Sequence, residues 1–366
     1  MMGNTYFFTG FPGFIARALI KQLIKERENI NHIYLLVLPT LTEKAETEVA
    51  EIINEMEFET SRISIIQGDI TQENIGLTVE VNKKLQEEIT HVFHLAAIYD
   101  LAVPKDIAYN VNVNGTKNMN DWVLKLESLE RYIYFSTAYV SGKREGTILE
   151  TELEMNQSFK NHYESTKYEA EVLVRGIMDQ VPTTIIRPGI VKGHSKTGET
   201  IKFDGPYFVL NFFEKLKFLP FIPYLGNGNV EGNFVPLDYI LEATIYLGHT
   251  QKGVGKTYHL TDPNPYLIKD VYKMMMEEYL KKSPTGKMPL SLAKAGLSFS
   301  SLRKWLGVEK EALDYFTLNS HYDCTQAQND LKGSGISCPD FKEILKPMVE
   351  FYREHKNDSK KHIKIL

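Results

Sequence analysis

Between the apolar run Thr5-Tyr6-Phe7-Phe8 and a helical pattern from Phe14 to Lys25 the chain carries Thr9-Gly10-Phe11-Pro12-Gly13-Phe14-Ile15-Ala16. The first run is short and strand-like. Phe14, Ala18, Leu19 and Leu23 then recur at helical spacing. A strand, a glycine turn and a helix in that order place backbone N–H groups and a helix N-terminus where a pyrophosphate can sit. The spacing is G-x-x-G-x-x-A rather than G-x-G-x-x-G. Ala16 at the third position is compatible, because that position needs only close helix–strand packing. A glycine turn that merely reverses the chain is the alternative.

About 150 residues downstream, Tyr163 and Lys167 stand four residues apart in Tyr163-Glu164-Ser165-Thr166-Lys167. On a helix, residues i and i+4 share a face. A lysine charge one turn from a phenol favours phenolate and lowers the tyrosine pKa from its free value of about 10. Such a tyrosine can give a proton to a carbonyl oxygen or take one from an alcohol.

Strand and helix patterns alternate up to about residue 195. Strands are expected at 4–8, 33–38, 62–66, 91–95, 132–136 and 183–187, with helices at 14–27, 43–56, 110–128 and 162–179. That alternation specifies an α/β fold, a doubly wound parallel sheet. Pro182 and Pro188 bracket the last of these strands. Beyond 195 the texture changes: 203–225 is crowded with aromatics and proline, and 266–355 reads mainly as helices. The expected division is a dinucleotide-binding (Rossmann) domain, 1–195 plus about 233–262, and a smaller, mostly helical substrate-binding lobe, about 196–232 and 263–355. The chain is expected to return to the core sheet near Asn233–Asp238 and Tyr258–Thr261.

These motifs resemble an extended short-chain dehydrogenase/reductase over about the first 265 residues. His94-Leu95-Ala96-Ala97 resembles the end of the family's fourth strand, where Ala96 and Ala97 let the adenosine half of the cofactor approach. Gly68-Asp69-Ile70 resembles the loop after the third strand, in which Asp69 would contact the adenine beside Ile70. Asn112-Val113-Asn114-Gly115-Thr116 resembles the helix that carries a structural or relay asparagine, matched by Asn112. Ser136-Thr137-Ala138-Tyr139-Val140-Ser141-Gly142 places Thr137 as the catalytic Ser/Thr. Arg187-Pro188-Gly189-Ile190-Val191 resembles the loop over the nicotinamide, with Pro188, Gly189 and Val191 against the cofactor. The resemblance implies that Thr9, Gly10, Phe11, Gly13, Phe14 and Ile15 bind the cofactor. It implies that Tyr163 and Lys167 act both in catalysis and in cofactor binding, with Asn112 anchoring a proton-relay water.

Within that family the chain most resembles the fatty acyl-CoA reductases and the thioester-reductase domains of carboxylic acid reductases and peptide synthetases. The likeness rests on Ser136–Val140, on Asn233-Phe234-Val235-Pro236-Leu237-Asp238-Tyr239 and on Tyr258-His259-Leu260-Thr261-Asp262-Pro263. It implies a reductase of acyl thioesters, with acyl-CoA or an acyl-carrier protein presenting the substrate and an aldehyde or alcohol as product. A sugar-nucleotide epimerase, dehydratase or reductase on the same scaffold is the second reading. A redox-inactive binding module is a third, against which the intact Thr137/Tyr163/Lys167 set argues.

The cofactor choice turns on the end of the second strand, Leu35-Leu36-Val37-Leu38-Pro39-Thr40. An NAD enzyme usually offers an acid there to the ribose 2′-hydroxyl, and none is present. Arg17 and Lys44 could reach a 2′-phosphate, so NADP(H) is expected, with NAD(H) as the alternative. An apolar stretch, Tyr207-Phe208-Val209-Leu210-Asn211-Phe212-Phe213 with Phe218 to Leu225, either lines a cleft that suits an acyl chain or forms ordinary core.

Composition bounds the rest. The 366 residues are 43% hydrophobic and 24% charged, enough for a sizeable core. A net charge of −5 with no basic block in the body argues against nucleic acid. Two cysteines, Cys324 and Cys338, support neither a disulfide framework nor a structural zinc. The chain has no long apolar leader and no apolar run of about 18 residues, so a cytoplasmic protein without a transmembrane segment is expected. The basic end, 356–366, reads as a flexible solvated tail.

Overall fold

The architecture is that of a computed structural model, which describes residues 3–99, 103–309, 313 and 317–363. One parallel sheet contains β1 (Asn4–Thr9), β2 (Ile30–Val37), β3 (Ile63–Gln67), β4 (His91–His94), β5 (Arg131–Phe135), β6 (Thr183–Pro188) and β7 (Lys256–Leu260). Its order is β7-β6-β5-β4-β1-β2-β3, and every pairing is parallel. The winding reverses between β1 and β4. In a doubly wound sheet that is where a crevice opens at the carboxyl ends of the strands.

A parallel sheet must be covered on both faces, and side chains alternate along each strand. Tyr6 and Phe8 enter one core, beneath α1 (Phe14–Glu26), α2 (Thr42–Met56) and the helix Leu237–His249. Phe7, between them, faces the opposite core with its ring 4.6 Å from that of Trp122. That second face is covered by helices Val79–Glu88, Gly115–Val123 and α3 (His162–Arg175). A separate apolar cluster joins α4 (Tyr207–Leu216) to the helices Ile268–Leu280 and Phe341–His355. Phe208 of α4 also joins a smaller group with Leu297 and Leu306.

The six strands expected from sequence are all present, their ends shifted by at most three residues. Three expectations change. The helix expected over 110–128 is a π-helical turn, Tyr109–Asn114, continued by the helix Gly115–Val123. The segment expected to rejoin the sheet near 233–238 does not enter it. Phe234–Pro236 pairs in parallel with Ile190–Lys192, because β7 already occupies the edge of β6. The tail expected to be solvated is anchored at both ends of its described part, with 357–360 between them exposed. Lys356 Nζ lies 3.0 Å from Glu214, Lys361 O accepts from Phe203 N–H at 2.7 Å, and Ile363 packs on the Phe208 cluster. Among the described residues no helix is long and apolar enough to cross a membrane.

Candidate active site

The reversal between β1 and β4 is built by small groups. Thr9, the last residue of β1, accepts hydrogen bonds on Oγ1 from the N–H groups of Leu95 and Ala96, at 3.2 and 3.1 Å. Gly10 has φ +87°, and a Cβ there would lie 2.9 Å from Ala96 N. A Cβ on Gly13 would lie 2.5 Å from the Gly10 carbonyl oxygen. The turn therefore needs both glycines. It delivers the chain into α1, whose N-cap, Gly13, offers no side-chain cap. The first N–H groups of that helix lack intrahelical acceptors and are suited to an anion.

The groove so formed belongs to one cavity of about 1740 Å³. Thr9, Gly10, Phe11, Gly13, Phe14 and Ile15 line one part of its wall, and Asp69, Ile70, Ala96 and Ala97 continue it. Leu36, Leu38 and Lys44 line it beside the end of β2. Pro188, Gly189 and Val191 close the other side. Gly189 packs so closely on Asn233 that a Cβ would meet its carbonyl oxygen at 2.8 Å. The uncapped helix and the two glycines fit a dinucleotide pyrophosphate, and no acid stands at the end of β2 to favour NAD.

Thr137, Tyr163 and Lys167 line the same cavity. Thr137 follows β5, and Tyr163 and Lys167 sit on α3. The helix is started by Asn161, whose Oδ1 accepts from Glu164 N–H at 2.9 Å. The Thr137 hydroxyl beside Tyr163 favours the phenolate. Burial opposes this more strongly and holds the phenol above its ordinary pKa. Lys167 Nζ donates to Tyr134 Oη at 2.9 Å and to the Phe135 carbonyl at 2.6 Å. Burial pushes its pKa down to about 7, against the smaller opposing pull of Glu171. The direct effect of Lys167 on the Tyr163 phenol, expected from their spacing, is not what the geometry gives: the ammonium is turned to β5.

Behind the site, Glu171 is fully buried and accepts from Arg187, Arg175 and Ser136 Oγ, the last at 2.5 Å. Burial opposes its charge, but the two guanidinium groups and the hydroxyl outweigh it and hold the carboxyl below its ordinary value. This cluster ties α3 to β5 and β6 on either side of the reacting groups.

Two expected residues lie elsewhere. Arg17 Nε and Nη2 meet Glu48 and Glu51 of α2, at 2.5 and 2.8 Å, and Arg17 does not line the cavity. Ion pairing to α2 directs it away from the groove. Asn112 is buried on the π-helical turn; its Oδ1 accepts from Ile98 N–H at 2.8 Å and its Nδ2 donates to Thr166 Oγ1 at 3.0 Å. Its bonds go to the loop after β4 and to α3 rather than to Lys167.

Sequence reasoning also missed parts of the site. Tyr99 is 64% exposed and sets its ring edge-on to Tyr163, 5.0 Å between centroids. It lies just past the small residues ending β4, a position the strand order would have marked. The apolar stretch 207–225 divides: Tyr207, Leu210 and Phe213 are core, while Phe208, Val209 and Phe212 line the cavity. The opposite apolar wall comes from Leu292, Leu297, Leu302, Trp305 and Leu306. Their helical spacing was the available signal.

The male sterility protein family matches residues 8–244. The alcohol-forming fatty acyl-CoA reductase of Simmondsia chinensis is 23% identical over 81% of this chain and 76% of its own length. A non-canonical nonribosomal peptide synthetase of Aspergillus campestris is 26% identical over 77% of this chain but only 28% of its own. The chain spans about half the length, or less, of the first curated relatives it matches. In three dimensions it is similar to the terminal R domain from the myxalamid PKS-NRPS biosynthetic pathway, with TM-score 0.81 and 24% identity over 99% of this chain and 93% of that one. With more than half of its length matched, the chain belongs to the male sterility protein family of NAD-binding domains.

Proposed function

We propose that this chain reduces acyl thioesters with a nicotinamide cofactor, NADP(H) in preference to NAD(H). The observation that carries the reading is one cavity lined both by Thr137, Tyr163 and Lys167 and by an apolar wall of Phe208, Phe212, Leu297 and Leu306. The names of the relatives, fatty acyl-CoA reductase and R domain, support it. A sugar nucleotide would leave that apolar wall against polar groups, which is costly.

When bound, the nicotinamide would supply a hydride to the thioester carbonyl carbon. Thr137 and Tyr163 donate hydrogen bonds to the carbonyl oxygen, where negative charge develops. Because burial raises the Tyr163 pKa, the phenol holds its proton at neutral pH and can give it to that oxygen. The product is a hemithioacetal. Its collapse breaks the C–S bond and releases a thiol and an aldehyde. Lys167, held on Tyr134 and Phe135 O and lining the same cavity, would orient the nicotinamide ribose through its remaining N–H. Lys44, on the first turn of α2 and in the cavity wall, would be the residue to meet a 2′-phosphate.

The test is oxidation of NADPH and NADH with acyl-CoA and acyl-carrier thioesters of increasing length. Turnover that rises with chain length and prefers NADPH is expected. Lys44→Ala should raise the KM for NADPH and leave that for NADH unchanged, whereas Arg17→Ala should leave their ratio unaltered. Turnover of a sugar nucleotide, with no thioester reduced, would overturn the reading.

A further inference from the structure

We propose that residues 356–363 form a strap that walls the apolar arm of the cavity, and that Ile363 sets the acyl length admitted. The inference rests on the thioester reading above. The helix Phe341–His355 ends just before the strap, and five contacts fix its course. Lys356 Nζ pairs with Glu214 at 3.0 Å, and the Lys356 carbonyl lies 2.6 Å from His362 Nε2. Lys361 Nζ donates to the Thr200 carbonyl at 2.8 Å, and the Lys361 carbonyl accepts from Phe203 N–H at 2.7 Å. The His362 ring meets the Phe203 ring edge-on, 5.4 Å between centroids.

These bonds hold the strap along 200–203, and Thr200, Ile201 and Lys202 are themselves cavity wall. In the run Lys356-Asn357-Asp358-Ser359-Lys360-Lys361-His362-Ile363 only the last residue is apolar. It is also the one that lines the cavity, packed against Phe208, Leu297 and Leu306. A polar segment anchored by these hydrogen bonds and the ion pair thus presents a single aliphatic side chain to the space that an acyl chain would fill. The volume of that side chain subtracts directly from the room for methylenes.

Rates with a series of saturated acyl-CoA thioesters, short to long, test this in the full chain. Replacing Ile363 with alanine removes three carbons and makes room for roughly two to three methylenes, each worth about fourfold in kcat/KM. Ile363→Ala should move the preferred length upward, and Ile363→Trp should move it downward. Damage to the fold would depress all lengths in both variants and cannot produce opposite shifts. In the unaltered protein, a long acyl-CoA should slow hydrogen exchange at the Phe203 amide, which is bonded to the strap, and a short one should not. No turnover of any thioester by the unaltered protein overturns the thioester reading. Turnover with one unchanged optimum in all three proteins, or equal Phe203 exchange with long and short ligands, overturns the role of the strap.

Discussion

At the scale of single residues, the site sets two ionisable groups against water. Tyr163 is kept protonated by burial, and Lys167 is brought down to about 7. Tyr163→Phe removes only the proton donor. It should leave the fold and cofactor binding intact and lower kcat by about 10²–10⁴-fold, read from steady-state NADPH oxidation beside cofactor titration. Lys192 is the second buried lysine, also brought down to about 7 by burial. Its Nζ lies 4.1 Å above the Phe341 ring and has no hydrogen-bond partner. For both lysines the folded pKa lies below the unfolded value of 10.5. Between pH 7 and 10.5 the unfolded chain therefore binds more protons, and stability rises with pH; below 7 the penalty is fully present. Lys192→Met should stabilise the protein by roughly 1–3 kcal/mol at neutral pH and make its stability less dependent on pH across that window. Urea denaturation at a series of pH values measures both effects, and an unchanged slope would show that Lys192 is solvated.

At the scale of elements, catalysis depends on how α3 is seated. Its N-terminus is fixed by Asn161, and Glu171, one turn beyond Lys167, is clamped by Arg187 and Arg175. Asn161→Ala should cost about 1 kcal/mol of stability, as the loss of an N-cap does. Since Tyr163 lies in the first turn and Lys167 a turn further in, kcat should fall more than the KM for cofactor, held mainly at the glycine turn, rises; a chemical melt with steady-state kinetics separates stability from activity. Much of this layer is legible in sequence. The strands of the sheet announce themselves because both faces are buried, and the Tyr163–Lys167 spacing places both on one side of α3. What is not legible depends on partners remote in sequence. Arg17 is drawn from the groove by Glu48 and Glu51, over thirty residues away, and nothing at Gly13–Ala16 signals that competition. The Lys167 ammonium settles on Tyr134 and the Phe135 carbonyl because β5 runs beneath α3, which is a property of strand order rather than of a motif. The strap at 356–363 reads as solvated because its composition is basic, yet hydrogen bonds to the backbone of Thr200 and Phe203, which composition does not encode, hold it down.

At the scale of the whole molecule, two apolar cores share a single cavity, and α4 is amphipathic toward both. One side of it, Tyr207, Leu210 and Phe213, is packed with the helices Ile268–Leu280 and Phe341–His355. Phe208, Val209 and Phe212 turn toward the cavity. The loop beyond it sends Phe221 outward, 65% exposed and off the cavity wall. Aromatic residues nine positions apart in one apolar stretch therefore have opposite surroundings, and a carboxylate should register the difference. In Phe212→Asp the charge would face an acyl chain, where an unpaired carboxylate is strongly unfavourable. Long-chain thioesters should lose at least tenfold in kcat/KM while short ones lose little. In Phe221→Asp the carboxylate stays in water, and the long-to-short ratio should match the unaltered protein. Both variants can be compared in one NADPH-oxidation series, with circular dichroism to verify folding. Equal ratios for the two would mean that the acyl chain does not run along α4, and the apolar wall of the cavity would then have to serve a different ligand.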